Sequence, residues 1–415
     1  QSGVGAEVDV DDEEFKLDLR DKKWQFKSAI LGYSEKDRVD VLEPTFQITR
    51  KLGFDESISF KVTVDALTGA SPSGAVPIDG AQTITRPSGS SGQVIGEGDE
   101  ALDDTFKDTR VALNTAWVKP LGRNMRLDLS GNVSDEYDFF SAGVGAQLSR
   151  DLNRKNTTLS AGVAFEYDEI DPVGGVPIAF QPVQPPGAAQ FKEDRIEDKT
   201  VIDLLFGVTQ VINSTSLLQL NYGYSMSDGY QTDPYKLLSE VDNNGDPIVR
   251  DPTIDLYTLR YENRPEERNK QSVYTRYKKF LKGDVLDFSY RYLWDDWDIN
   301  SHTVDVRYRW DTPGKGFWRP HFRYYHQSAA EFYTPFLRND QPQPEYASAD
   351  TRLGEFDAYT IGLEYGRESA KRVWSVAFEY YLQTGDEPDE KFGNLLDEEL
   401  FPDLDAFMVR VNYDF

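Results

Sequence analysis

The 415-residue chain has no cysteine. That removes a disulfide framework, a thiolate metal site and covalent haem attachment in one step. Histidine is nearly absent as well, with only His302, His321 and His326 to serve as imidazole ligands. No apolar run approaches the roughly 18 residues that signal a spanning helix, and mean hydropathy is −0.59. A helical membrane protein is excluded. Positive charge is in short supply: 45 Lys and Arg face 72 Asp and Glu, a net charge of −27. Nucleic acid is therefore no partner of this chain.

What the sequence does have is aromatic side chains, 13% of the total with 23 Tyr and 24 Phe, set in short alternating segments. The closing stretch "DAFMVRVNYDF" shows the pattern. Phe407, Val409, Val411, Tyr413 and Phe415 alternate with Met408, Arg410, Asn412 and Asp414. A period of two gives a β-strand one apolar and one polar face. About sixteen such segments run from Trp24–Tyr33 to Asp405–Phe415. Outward rows such as Val304, Val306, Tyr308 and Trp310 alternate with Asp305, Arg307 and Arg309. Aromatics at the strand ends suit interfacial girdles, where a ring meets lipid and its polar tip meets water.

The connections alternate too. Tight ones, such as "KPLGR", "RDLNRKN", "LKGD" and "DTPGKG", are rich in Gly, Pro, Asn and Lys. They trade places with long insertions over residues 69–105, 168–199, 227–269, 328–354 and 384–404, and with three brief ones at 34–38, 134–138 and 295–302. Short turns on one rim and long loops on the other mark an all-β transmembrane antiparallel barrel with periplasmic turns and extracellular loops. The expected organisation is an acidic segment over residues 1–23, then a single barrel domain over 24–415. A chain opening on Gln1 reads either as an exported protein whose leader is gone or as one trimmed at an arbitrary point.

A barrel of this size leaves an aqueous lumen unless something fills it. Inward positions collect Arg276, Lys278, Arg291, Arg307, Arg309, Arg319, Arg323 and Arg410, with Asp287, Asp305, Glu364, Glu379 and Asp414 among them. One reading is a basic ladder that favours anions. The other, slightly preferred, is a set of cross-strand ion pairs that keeps the wall in order. The outer loops are acidic, and Asp242, Asn244 and Asp246 have the alternating spacing that opens a calcium loop. The required glycine is misplaced and no glutamate follows at the right distance, so Ca or Mg there is the weaker reading and a solvated loop the stronger. No nucleophile with a positioned base emerges, so the chain is not expected to be an enzyme and needs no cofactor.

Three stretches carry a family resemblance: "VDALTGASPSGA" at Val64–Ala75, "YSMSDGYQTDPYKLLSEVD" at Tyr224–Asp242 and "YENRPEER" at Tyr261–Arg268. Together they resemble an uncharacterised domain-of-unknown-function family of Gram-negative outer-membrane barrels. The resemblance implies location in the cell outer membrane, in contact with lipid and lipopolysaccharide. Members are often encoded beside a small lipoprotein, a thioredoxin-like protein and a flavin transferase, which implies a lipoprotein or redox partner. Within the motifs, Gly229, Pro234 and Tyr235 are expected to set a fixed loop path, and Arg264 and Arg268 to pair with Asp228 or Asp233. Two functions remain: a channel or transporter for small polar solutes or ions, which the wide lumen favours by a small margin, or a scaffold barrel holding such a partner.

Overall fold

The structure is a computed structural model that describes residues 24–36, 38–77, 82–85, 92–95, 102–185, 187–253, 256–369, 372–388 and 391–415. The expected N-terminal segment over 1–23 and most of the acidic stretch at 97–104 lie outside these residues. Sixteen antiparallel strands close into one barrel. We number them β1 (Trp24–Glu35), β2 (Val39–Gly53), β3 (Glu56–Pro72), β4 (Leu102–Pro120), β5 (Met125–Asp135), β6 (Phe139–Leu152), β7 (Thr157–Ile170) and β8 (Glu197–Asn213). The second half comprises β9 (Ser216–Gly229), β10 (Glu267–Leu281), β11 (Asp284–Asp295), β12 (Asn300–Thr312), β13 (Gly316–Gln327), β14 (Phe356–Glu368), β15 (Val373–Gly385) and β16 (Leu404–Asp414).

Closure comes from β1 pairing with β16 from Lys27↔Asp414 to Glu35↔Ala406. Phe415 completes the seam: its amide donates to Phe26 O at 2.9 Å and its ring stacks on Phe26 at 5.4 Å. Every strand thus has two partners, so the barrel has no edge to leave backbone groups unpaired in lipid.

One face of the sheet carries exposed large hydrophobics all the way round. Leu42 (54%), Val144 (64%), Ile361 (63%), Phe378 (61%) and Phe407 (63%) are examples. The apolar patches of soluble monomers end at a few hundred Å², so a continuous belt of this kind is a lipid-facing surface. This is a transmembrane β-barrel. Stacked or tilted aromatic pairs such as Trp318–Tyr365 and Tyr324–Tyr359 punctuate the belt.

The long connections are not open loops. Strands Leu237–Val241, Leu259–Tyr261 and Phe336–Arg338 form a small three-stranded sheet of their own. Leu237, Leu238 and Val241 are fully buried, and Tyr261 and Leu395 nearly so. One cluster joins Ala75, Val183, Leu237, Leu259 and Tyr261. A second joins Val76, Val241, Phe336, Leu395 and Leu400. The two clusters draw on all five long insertions, which leave the rim at points spread around it. A core shared among them has to cross the mouth, so the loops form a cap.

Candidate functional site

The inward face divides into two unlike walls. From β4 to β9 small residues form one inward band among polar and charged ones such as Asn132, Glu166 and Lys199: Ala112 and Ala116 face Ser134 and Ser130, which face Ser141 and Gly145, and Gly145 faces Ala164. Gly207 and Gly223 continue the row. From β10 to β16 the inward face carries long charged side chains.

On the charged wall, some of the arginines are held by carboxylates. Arg276 makes a two-pronged contact with Asp287 at 2.8 and 2.5 Å. Arg309 reaches Asp311 at 2.8 Å and Glu368 at 2.7 Å. Arg319 lies 3.4 Å from Glu364, and Arg307 lies 3.4 Å from Asp305. His321 stands between two acids, with Nε2 2.8 Å from Asp305 and Nδ1 2.7 Å from Glu379. The second contact spans β14 at Gly362, where a Cβ would press on the Glu379 side chain at 2.7 Å. Any larger residue at 362 would break the bridge. Arg291, Arg323 and Arg410 are exposed and have no carboxylate within ion-pair distance among the described residues. The ladder therefore splits into paired rungs and free ones, which alternation alone could not decide. His302, expected at a loop, sits on β12, where Nδ1 meets the Tyr290 hydroxyl at 2.8 Å.

The cap carries a second charged group, buried at Glu262, Arg264 and Asp350 and half exposed at Arg352. Asp233, Glu262 and Asp350 meet Lys236, Arg264 and Arg352, three acids against three bases. Arg264 lies 2.6 Å from Glu262 and 2.8 Å from Asp350. Arg352 reaches Asp233 and Asp350 at 2.5 Å each. The Ser348 hydroxyl donates to Glu262, the Asp233 amide donates to Glu262 at 2.7 Å, and the Lys236 ammonium donates to Pro72 O. This latch ties the insertion over 230–266 to that over 328–355 and to the end of β3. Burial alone would raise the Asp350 carboxyl, but Arg352, Lys236 and Arg264 outweigh it and hold that group well below the usual carboxylate range. Burial prevails at Glu262, whose carboxyl is raised despite Arg264, and at Lys236, whose ammonium is lowered.

The expected pairings of the motif residues need correction. Arg264 takes Glu262 and Asp350, not Asp228 or Asp233. Arg268 takes Asp295 at 2.5 Å and lies 4.2 Å over the Trp297 ring. Asp228 lies on the exposed outward row, out of reach, and Asp233 is claimed by Arg352. Asp350 and Arg352 belong to no motif, so only the fold could reveal them. Gly229 has a backbone φ of +117°, and a Cβ there would strike Asp198 O and the Lys199 Cα. The chain leaves β9 through a conformation that side chains disfavour. Pro234 follows five residues on, and the Tyr235 hydroxyl donates to Asp138 at 2.5 Å, tying the cap to the brief 134–138 loop.

Asp242 uses Oδ1 to accept the amides of Asn244 at 2.8 Å and Asp246 at 3.0 Å, while Asp246 accepts from Asn394 Nδ2 at 2.7 Å. These are turn-forming bonds. Carboxylates do gather elsewhere: ligand atoms of Asp108, Glu136 and Asp138 lie within 4.8 Å of one another. Arg110, 3.9 Å from Glu136, and the Tyr235 hydroxyl already answer part of that charge. Burial and the Asp108 contact push the Glu136 carboxyl up to about 8.

Among solved structures the chain is similar to the outer membrane protein OpdK of Pseudomonas aeruginosa, at 10% identity and a TM-score of 0.39 over 94% of this chain and 98% of that one. It is similar to OccK2 (OpdF) of the same organism at 10% identity and a TM-score of 0.41, over 96% and 98%. It is also similar to the ferric enterobactin receptor of that organism at 7% identity and a TM-score of 0.43, over 88% of this chain but only 54% of the receptor, about half its length. No curated protein matches the sequence. The description "Protein of unknown function (DUF3570)" fits residues 4–415, and the chain belongs to that family.

Proposed function

We propose that this barrel is an outer-membrane channel for small solutes, with a preference for anions, closed or regulated by its cap. The observation that carries the reading is the free rungs of the ladder: Arg291, Arg323 and Arg410, exposed toward the lumen with no carboxylate at ion-pair distance among the described residues. A barrel of sixteen strands is wide enough for an aqueous path. Rings of Arg and Lys are how pores favour anions.

The test is planar-bilayer conductance with reversal potentials across a salt gradient. Removing the three charges together (Arg291→Gln, Arg323→Gln, Arg410→Gln) is expected to erase the anion preference while current persists. A second reading, a scaffold barrel for a lipoprotein or redox partner, draws support from the cap's own buried core. Conductance in neither the native protein nor an Arg264→Ala variant with its latch cut would sink the channel and favour the scaffold. A barrel silent until the latch is cut would establish the cap as its gate.

A further inference from the structure

The two rims of the lipid-facing surface differ in charge. At the loop rim the outward row ends on acids, among them Asp40, Asp135, Glu169, Asp198 and Asp228, all exposed. At the short-turn rim it carries the exposed bases Arg50, Lys119, Arg150 and Arg367 beside the less exposed acids Glu56 and Asp284. Arg50 lies 5.0 Å over Trp24, and Lys119 lies 4.9 Å over Trp117. Those aromatics mark the edge of the hydrocarbon, so the cations stand at headgroup depth.

One place on that rim is shaped as a site. The turn from β4 to β5 and the turn from β6 to β7 lie side by side, joined by the Asp151 amide donating to Asn124 O at 2.8 Å. Between them is a recess of about 440 Å³, whose lining includes Leu121, Arg123, Met125, Arg150, Leu152 and Arg154. Arg150 pairs with Met125 in register and continues the lipid-facing row of Val144 and Leu148. Its guanidinium therefore emerges where the acyl region ends. Of the acids here, Asp128 takes Arg126 at 3.0 Å, and Asp151, which is part of the lining, accepts from the Thr158 hydroxyl at 2.8 Å and lies 3.9 Å from the Lys155 ammonium. Arg123, Arg150 and Arg154 have no carboxylate within ion-pair distance among the described residues. The second turn reaches this shape through three consecutive left-handed residues, Asn153, Arg154 and Lys155, at φ of 50°, 60° and 69°. None is glycine, so the conformation is costly, and it sets Arg154 on the lip of the recess.

We propose that this recess binds the phosphate headgroup of an anionic glycerophospholipid from the leaflet at the short-turn rim. The arginine forks would take the phosphate oxygens, and an acyl chain would lie along the row of Val144 and Leu148. The site is separate from the lumen and does not depend on the channel reading.

Native mass spectrometry of the purified barrel with phosphatidylglycerol and phosphatidylcholine tests it. The native protein is expected to retain one phosphatidylglycerol in preference to phosphatidylcholine. With about 1 kcal/mol per basic residue near a membrane surface, the triple variant Arg123→Gln, Arg150→Gln, Arg154→Gln should weaken that retention on the order of a hundredfold. A control triple on the same rim, Lys51→Gln, Lys282→Gln, Lys315→Gln, should keep it. Arg→Lys at the three arginines, which keeps charge but loses the fork, should fall between and guards against a folding defect. Equal retention in the arginine triple would overturn the proposal, as would equal loss in the control. Displacement of the lipid by millimolar inorganic phosphate would overturn it too, since a free ion would then be the ligand.

Discussion

The wall and the cap are built on opposite principles. In the wall, large hydrophobics point outward and charge points inward, and the backbone ladder closes on itself from β1 to β16. In the cap, the arrangement is that of a soluble domain: Leu237, Leu238 and Val241 are buried without trace, with a latch of ions beside them. Much of this protein's buried apolar core therefore lies in its loops. Lipid provides the apolar surroundings of the wall, whereas the loops have to supply their own.

Cutting the latch should separate the two regions most sharply. Removing one partner of a buried ion pair costs about 3–5 kcal/mol, because a charge is left buried and unpaired. Arg264→Ala is expected to open the insertions over 230–266 and 328–355 to limited proteolysis while far-UV circular dichroism of the barrel stays unchanged. Loss of both together would mean that cap and wall form one cooperative unit.

Next in size is a matched pair of leucines. Leu238→Ala removes a fully buried side chain and should weaken the cap by about 2–5 kcal/mol, read as faster amide exchange there. Leu113→Ala, on the exposed outward row at 41%, should leave cap exchange where it was. Equal effects would erase the distinction.

The smallest expected effect is on pH. Asp350 is depressed below its ordinary 3.8, so its contribution is full above that value and fades as pH falls through the folded value. Glu136 is raised from 4.5 to about 8, so its contribution has the opposite sign, being present below 4.5 and lost as pH rises toward and through 8. Because Tyr235 joins Asp138 to the cap, protease resistance of the cap should decline modestly between pH 5 and 8. Glu136→Gln should flatten that decline. An unchanged slope would detach the 134–138 loop from the cap.

How much could be read in advance follows from the same contrast. The wall was legible because its rule is local: each strand needs only alternation, and each rim only short or long connections. The inward arginines could be placed on one face by counting residues. Which of them were free could not, since Arg276 and Arg291 alternate identically and differ only in the carboxylates across the register. The cap escaped for a related reason. Its strands are two to five residues long, too brief for a period to show, and its partners come from distant loops. Gly229, Asp233, Pro234, Tyr235 and Arg264 stood out as motif residues, yet the pairings expected of Arg264 and Arg268 were wrong because Asp350, Arg352 and Asp295 stood outside every motif.

Sequence by itself determined the barrel, its strand number, its lipid-facing belt and the acidity of its loops. All of these are set by the order of neighbours along the chain, against a lipid environment that rewards period two. The tertiary structure alone decided which arginines stay free in the lumen and which ions interlock in the cap. It also decided where two turns meet to form a cationic recess. Each of those depends on residues brought together by closure of the sheet, and closure is a property of all sixteen strands at once.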